Sequence, residues 1–117
     1  MPVKLIVMNM TEVIDYAGNT PFFKALGDEN RLRIMDMLSC GEICACEILL
    51  ELDITQSTLS HHMKILCDCS LVIPRKAGKW TYYSQNEDTV KALNVFINTI
   101  TTKKEGYISK ISKGDCE

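Results

Sequence analysis

The sequence predicts a mainly α-helical domain that carries one β-hairpin, the layout of a winged helix-turn-helix. Three observations lead there. Two short helical segments, Cys44–Leu52 and Gln56–Cys67, are joined by only three residues, so they cross at a large angle and the second can be presented outward. Two runs rich in β-branched and aromatic residues, Leu71–Arg75 and Lys79–Ser84, flank a turn at Gly78. A long amphipathic segment closes the chain.

Each element has a local reason. Residues 1–9 read as a loose arm. A short helix is expected from Met10 to Ala17, stopped by Gly18-Asn19. Thr20-Pro21 then offers an N-cap and a proline at the first helical position, and the new helix breaks at Gly27. Asp28 can cap the next helix, in which Glu29 and Arg33 pair at i,i+4. Leu32, Met35 and Leu38 fall on one face, with Ile34 and Met37 beside them, and Gly41 is the stop. These N-terminal helices span residues 10–39, and the helix-turn-helix spans 44–67. Thr55 can cap its second helix, where Leu59, Met63 and Leu66 point inward at i, i+4, i+7. The wing spans 71–84, with Lys76-Ala77-Gly78 as its turn. Asn86 caps a last helix over 87–105, striped by Val90, Leu93, Phe96 or Ile97, and Ile100. The tail, 106–117, reads as polar and frayed.

Composition narrows the function. The 117 residues are 46% hydrophobic and 24% charged, the profile of one globular domain rather than a disordered chain. No stretch approaches the roughly 18 apolar residues of a membrane span, and no secretory signal opens the chain. A cytoplasmic protein without a membrane partner is expected. Two adjacent histidines, His61 and His62, and no nucleophile–base or phosphate-loop spacing argue against an enzyme.

A net charge of −2 excludes a globally basic nucleic-acid binder. The charge is nevertheless segregated. From Glu42 to Asp53 the chain carries −4, and from Gln56 to Gln85 it carries +3. That suits one restricted face offered to a polyanion. The outward face of Gln56–Cys67 presents Gln56, Ser57, Thr58, Ser60, His61 and Lys64. The polar side chains can bond base edges or phosphates, and the lysine can neutralise a phosphate. Arg75, Lys76 and Lys79 tip the hairpin beside it. His62 falls toward the buried face and reads as a structural, hydrogen-bonded residue. The expected partner is double-stranded operator DNA.

Six cysteines, Cys40, Cys44, Cys46, Cys67, Cys69 and Cys116, include two Cys-x-Cys pairs. In a reducing compartment they are metal ligands, redox thiols or small buried hydrophobes. Soft thiolates select As(III), Sb(III), Cd(II), Pb(II) or Cu(I) over hard ions. Residues i and i+2 do not face each other on a regular helix, so one ion on Cys44 and Cys46 would require the helix start to distort. Acidic neighbours Glu42 and Glu47 should raise both thiol pKa values, which disfavours redox sensing.

Three separated motifs carry a family resemblance. Phe23–Ile34, Gln56–Leu66 and Gly78–Ser84 resemble, in that order, the ArsR/SmtB family of metal-responsive repressors. The resemblance implies a homodimer seamed by its first and last helices, bound to a palindromic operator and released by an inducer. Glu42-Ile43-Cys44-Ala45-Cys46-Glu47 is similar to the thiolate motif of the arsenite/antimonite and cadmium/lead branches. It implies that Cys44 and Cys46 are ligands of a soft metal(loid), with no organic cofactor. The third ligand of those branches has no counterpart, since Leu49 fills one position and residues 1–30 contain no cysteine; Cys40 is the nearest candidate. An alternative site, implied by another cadmium/lead subgroup, would combine Cys69 with Cys116, and Cys67 in place of the subgroup's earlier cysteine, where Ile65 stands. The final helix has no histidine, which excludes the family's zinc site. Two other functions compete. One is a thiol redox or persulfide sensor on the same scaffold. The other is a metal-stabilised interaction module without a DNA role, which the +3 segment and the wing argue against.

Overall fold

The computed structural model describes residues 14–104. The chain runs α1 (Tyr16–Leu26), α2 (Glu29–Leu38), β1 (Ile43–Cys44), α3 (Ala45–Leu52), α4 (Gln56–Asp68), β2 (Val72–Ala77), β3 (Trp80–Gln85) and α5 (Glu87–Thr101). The strands form one antiparallel sheet in the order β1-β3-β2.

Helix α1 differs from expectation. It runs straight through Gly18-Asn19 and Pro21, so neither acts as a stop or a start. Asp15 supplies the cap by accepting from the Gly18 amide at 2.8 Å. Pro21 has no N–H for the Ala17 carbonyl, but the Thr20 hydroxyl donates to that oxygen at 2.9 Å and to Tyr16 O at 3.1 Å. The local hydroxyl therefore repairs what the proline removes. The part of the expected first helix at Met10–Val13 lies outside the described residues, as do the arm and the tail from 105 onward.

Sequence-encoded caps set the other helix starts. Asp28 accepts from the Asn30 and Arg31 amides, Thr55 from Thr58, and Asn86 from Thr89. In α2 the buried stripe is Ile34 and Leu38, not Leu32, which is 52% exposed. Ile34, Leu38, Ile48, Leu52, Leu59, Met63, Leu66, Leu71 and Leu93 form the core, with all three expected inward residues of α4 among them.

The hairpin is longer and tighter than expected. Its strands reach Ala77 and Trp80, so the turn shrinks to Gly78-Lys79, with Gly78 at φ +66°. Two-residue loops with a left-handed glycine match the twist of paired strands. Pro74 sits in β2, the sheet edge, where a missing N–H is tolerated. Between α3 and α4, Asp53 adopts the left-handed region at φ 54°, a conformation that short polar side chains accept.

Candidate DNA-reading face and thiol site

Burial of Leu59, His62, Met63 and Leu66 leaves Gln56, Ser57, Thr58, Ser60, His61 and Lys64 exposed on α4. Some of these groups are already engaged locally. The Thr55 hydroxyl donates to Thr58 Oγ1 at 2.8 Å and lies 3.3 Å from Ser57 Oγ. Lys64 pairs with Asp68 at 3.0 Å, one turn on. In the wing, Arg75, Lys76 and Lys79 are exposed, and Lys79 Nζ stands 5.7 Å from the Trp80 ring centroid.

Arg75 is not a free cation. Its Nε and Nη2 each donate to a Glu42 carboxylate oxygen at 2.8 Å, and its guanidinium lies 4.7 Å over the Tyr82 ring. The Arg75 hydrogen bond and charge hold the Glu42 carboxyl below the usual carboxylate range. The sequence assigns Glu42 to an acidic run and Arg75 to a basic one, but the fold joins them.

Beneath α4 lies a polar node that sequence patterns do not reveal. His62 is 7% exposed. Arg31 Nη1 stands 2.9 Å from its Nδ1, and Asp28 Oδ1 4.0 Å from the same atom. A guanidinium can only donate, so Nδ1 is the accepting nitrogen in this contact. Arg31 also donates from Nε to Ala25 O at 2.5 Å, which ties α1, α2 and α4 together. His62 therefore has the inward, hydrogen-bonded place that its position between Leu59 and Leu66 suggests.

The thiol pair sits at the junction of β1 and α3. Cys44 is the buried N-cap of α3, with extended backbone at φ −73°, ψ 144°. Cys46 Sγ donates to Cys44 Sγ at 2.9 Å. The expectation that the helix start must distort is therefore corrected: Cys44 precedes the helix, so its side chain can turn onto Cys46 without disturbing a helical turn. The hydrogen bond to Cys44 is the main influence raising the Cys46 pKa, aided by burial and by the Cys44 and Glu47 charges. Glu47 accepts from the Cys44 amide at 3.2 Å.

The other cysteines lie apart by element. Cys40 is exposed after α2. Cys67 and Cys69 end α4; burial, then Asp68 and Cys69, raise the Cys67 thiol, while Cys69 donates to Leu66 O at 3.4 Å. Cys116 lies outside the described residues. Among the described residues, no group of three or more His, Cys, Asp or Glu side chains is gathered to hold a metal ion. The Cys44–Cys46 pair offers two soft donors of the right chemistry, and a full thiolate set needs a further donor brought to it.

Strand β1 is the element the sequence conceals. Two residues are too few to show alternation, yet they pair Cys44 with Tyr82 and Ile43 with Tyr83 in the wing. The thiol site is thus bonded directly to the hairpin.

Comparisons with known proteins bear on the family and the fold. The family described as bacterial regulatory protein, arsR family, matches residues 28–73. An arsenical resistance operon repressor of Staphylococcus xylosus is 40% identical over 104 residues, covering 88% of this chain and 100% of that protein. A cadmium resistance transcriptional regulatory protein CadC homolog of Staphylococcus aureus is 39% identical over 72 residues, 61% of this chain and 60% of that one. Among solved structures, reduced HlyU from Vibrio cholerae is similar with a TM-score of 0.61 and 30% identity, covering 74% of this chain and 92% of that chain.

Proposed function

The chain belongs to the arsR family of bacterial regulatory proteins, and from that premise we propose that it is a DNA-binding transcriptional repressor. It acts as a homodimer and leaves its operator when a soft metal(loid), As(III)/Sb(III) or Cd(II)/Pb(II), is captured by cysteine thiolates. The observation that carries the reading is the 2.9 Å Cys44–Cys46 contact at the start of α3, the helix that precedes the reading helix and shares its hydrophobic core. The printed names of the relatives, arsenical and cadmium resistance regulators, support the same inducer class.

The operator is met by Gln56, Ser57, Thr58, Ser60, His61 and Lys64 on α4 and by Arg75, Lys76 and Lys79 in the wing. A partly exposed aromatic cluster supports the dimer. Tyr16 and Phe23 meet Phe96 at 6.2 and 6.0 Å between ring centroids, and Val95 and Ile100 extend that apolar surface on α5. Among the described residues no helix is long and apolar enough to cross a membrane, and a cytoplasmic location fits a DNA-binding regulator. Cys44 and Cys46 are the principal ligands, with Cys40 the nearest further thiol in sequence. Cys67, Cys69 and Cys116 form the alternative site.

A second reading, a thiol-oxidation sensor, is favoured by the same 2.9 Å sulfur contact. The raised Cys46 pKa opposes it, because the thiolate is the form that oxidises.

Fluorescence anisotropy on a palindromic operator tests both. Arsenite, antimonite, Cd(II), Pb(II), Zn(II) and hydrogen peroxide are titrated in turn. Arsenite or Cd(II) should release the DNA from wild type and Cys69→Ser, but not from Cys44→Ser or Cys46→Ser. Loss of the response in Cys69→Ser alone would move the sensor to the alternative site. Release by peroxide alone, reversed by a reductant, would favour oxidation.

A further inference from the structure

The cross-strand register places Cys44 opposite Tyr82 and Tyr82 opposite Arg75. Directly opposed residues of an antiparallel sheet share a face, so a thiol, a ring and a guanidinium form one row across the three strands. Glu42, two residues before Cys44, closes the row by gripping Arg75 through both carboxylate oxygens at 2.8 Å. A forked carboxylate–guanidinium pair has the geometry with which arginine also binds a phosphate. Glu42 therefore occupies the donors that a DNA backbone oxygen would use.

We propose that Glu42 is an internal phosphate mimic that competes with the operator backbone for Arg75. This rests on the DNA-binding reading above and adds to it a residue that lowers affinity by design of the fold. The pair spans 33 positions of sequence, from the segment leading into the thiol site to the wing. Whatever moves the backbone at Cys44 also moves Glu42, so the grip on Arg75 and the thiol site share one short piece of chain. In the DNA-bound state Arg75 exchanges one forked partner for another, and Glu42 is left to solvent. Because both groups are exposed, the exchange is close to balanced, which makes it sensitive to small displacements of β1.

The test needs no known operator, because phosphate contacts are independent of sequence. Full-length wild type, Glu42→Gln, Arg75→Ala, the double variant and Glu51→Gln are titrated onto a fluorescent duplex of about 30 base pairs, long enough for a dimer on two half-sites. The salt range is about 50 to 200 mM. Glu42→Gln should bind about 3- to 10-fold more tightly. The slope of log affinity against log salt should stay close to that of wild type, because Arg75 meets a phosphate in both complexes, whereas Arg75→Ala should flatten it by about 0.9 per protomer, about 1.8 for a dimer. The gain should vanish when Arg75 is already alanine. Glu51→Gln, the same charge change elsewhere on the exposed surface of α3, should not reproduce the gain in affinity. No gain in Glu42→Gln, a gain that persists without Arg75, or an equal gain in Glu51→Gln overturns the proposal. Wild type that binds DNA and is released by arsenite while Glu42→Gln matches it sinks this inference alone. Wild type that binds no duplex sinks the proposed function as well.

Discussion

Replacing Arg31 by methionine separates the node beneath the reading helix from everything else that Arg31 does. Methionine keeps much of the apolar stem in place and removes every donor. Two bonds go: Nε to Ala25 O and Nη1 to His62 Nδ1. Ala25 lies in the last turn of α1, where carbonyls lack helical partners. His62 is 7% exposed, so water replaces its lost donor poorly. An orphaned buried acceptor costs about 1–3 kcal/mol, and with the second carbonyl the total is about 2–4 kcal/mol. With a urea m-value of about 2 kcal/mol/M, the middle of the usual range for small proteins, the unfolding midpoint should fall by about 1–2 M at unchanged m. The assay is equilibrium urea unfolding followed by far-UV circular dichroism, at one fixed protomer concentration because association adds to apparent stability. His62→Leu and the double variant complete a cycle. Residues in contact should show non-additivity of about 0.5–3 kcal/mol. A loss below about 0.5 kcal/mol in Arg31→Met, or strict additivity in the cycle, would refute the node as an anchor of α4.

Two further outcomes follow from other parts of the fold. Lys79, exposed in the wing turn, contacts a phosphate in the proposed complex, so Lys79→Ala should flatten the salt slope of DNA binding by about 0.9 per protomer; anisotropy across a salt series reads it directly. Asp28 has a lowered pKa, chiefly because it accepts from the Arg31 amide, with the Asn30 amide and the Arg31 charge helping against burial. Its stabilising contribution is complete above the ordinary carboxylate range and is lost as pH falls through the lowered value. Asp28→Asn should therefore flatten the acid limb of a stability–pH curve below about pH 4; an unchanged limb would show that this cap is not what titrates.

What the sequence discloses follows from how local the cause is. The caps at Asp28, Thr55 and Asn86 are legible because each side chain bonds an amide two or three residues on. The inward face of α4 is legible because Leu59, Met63 and Leu66 repeat at the helical period. Helix α1 misleads for an equally local reason: Gly18 and Pro21 read as breakers, while Asp15 and Thr20 repair the backbone around them. Leu32 misleads because several apolar stripes compete on α2, and only packing against α1 and α4 chooses Ile34 and Leu38. The site divides in the same way. The thiol pair is visible as a spacing. The Glu42–Arg75 and Arg31–His62 pairs are not, since each joins residues more than 30 positions apart, and counting charge by segment assigns Glu42 and Arg75 to opposite runs.

Under the proposed function, the geometry of the thiol pair also points to where the energy for release arises. If Cys44 and Cys46 had to be forced together, bending α3 would accompany the binding of two donors. They already lie within reach of each other, with Cys44 outside the helix, so bringing these two sulfurs to one ion does not require α3 to bend. A 10- to 1,000-fold loss of DNA affinity needs a difference of about 1.4–4 kcal/mol between free and inducer-bound forms. That difference has to come from the next donor, which is not gathered with the pair among the described residues. Drawing it in pulls on β1, and β1 is held to the wing through only two paired positions. So short a ladder yields before the packed helices do, because core residues such as Ile48 and Leu66 are fully buried in an interior that packs densely and resists displacement. The wing, rather than a bent reading helix, is then the first part of the DNA-facing surface to feel the inducer.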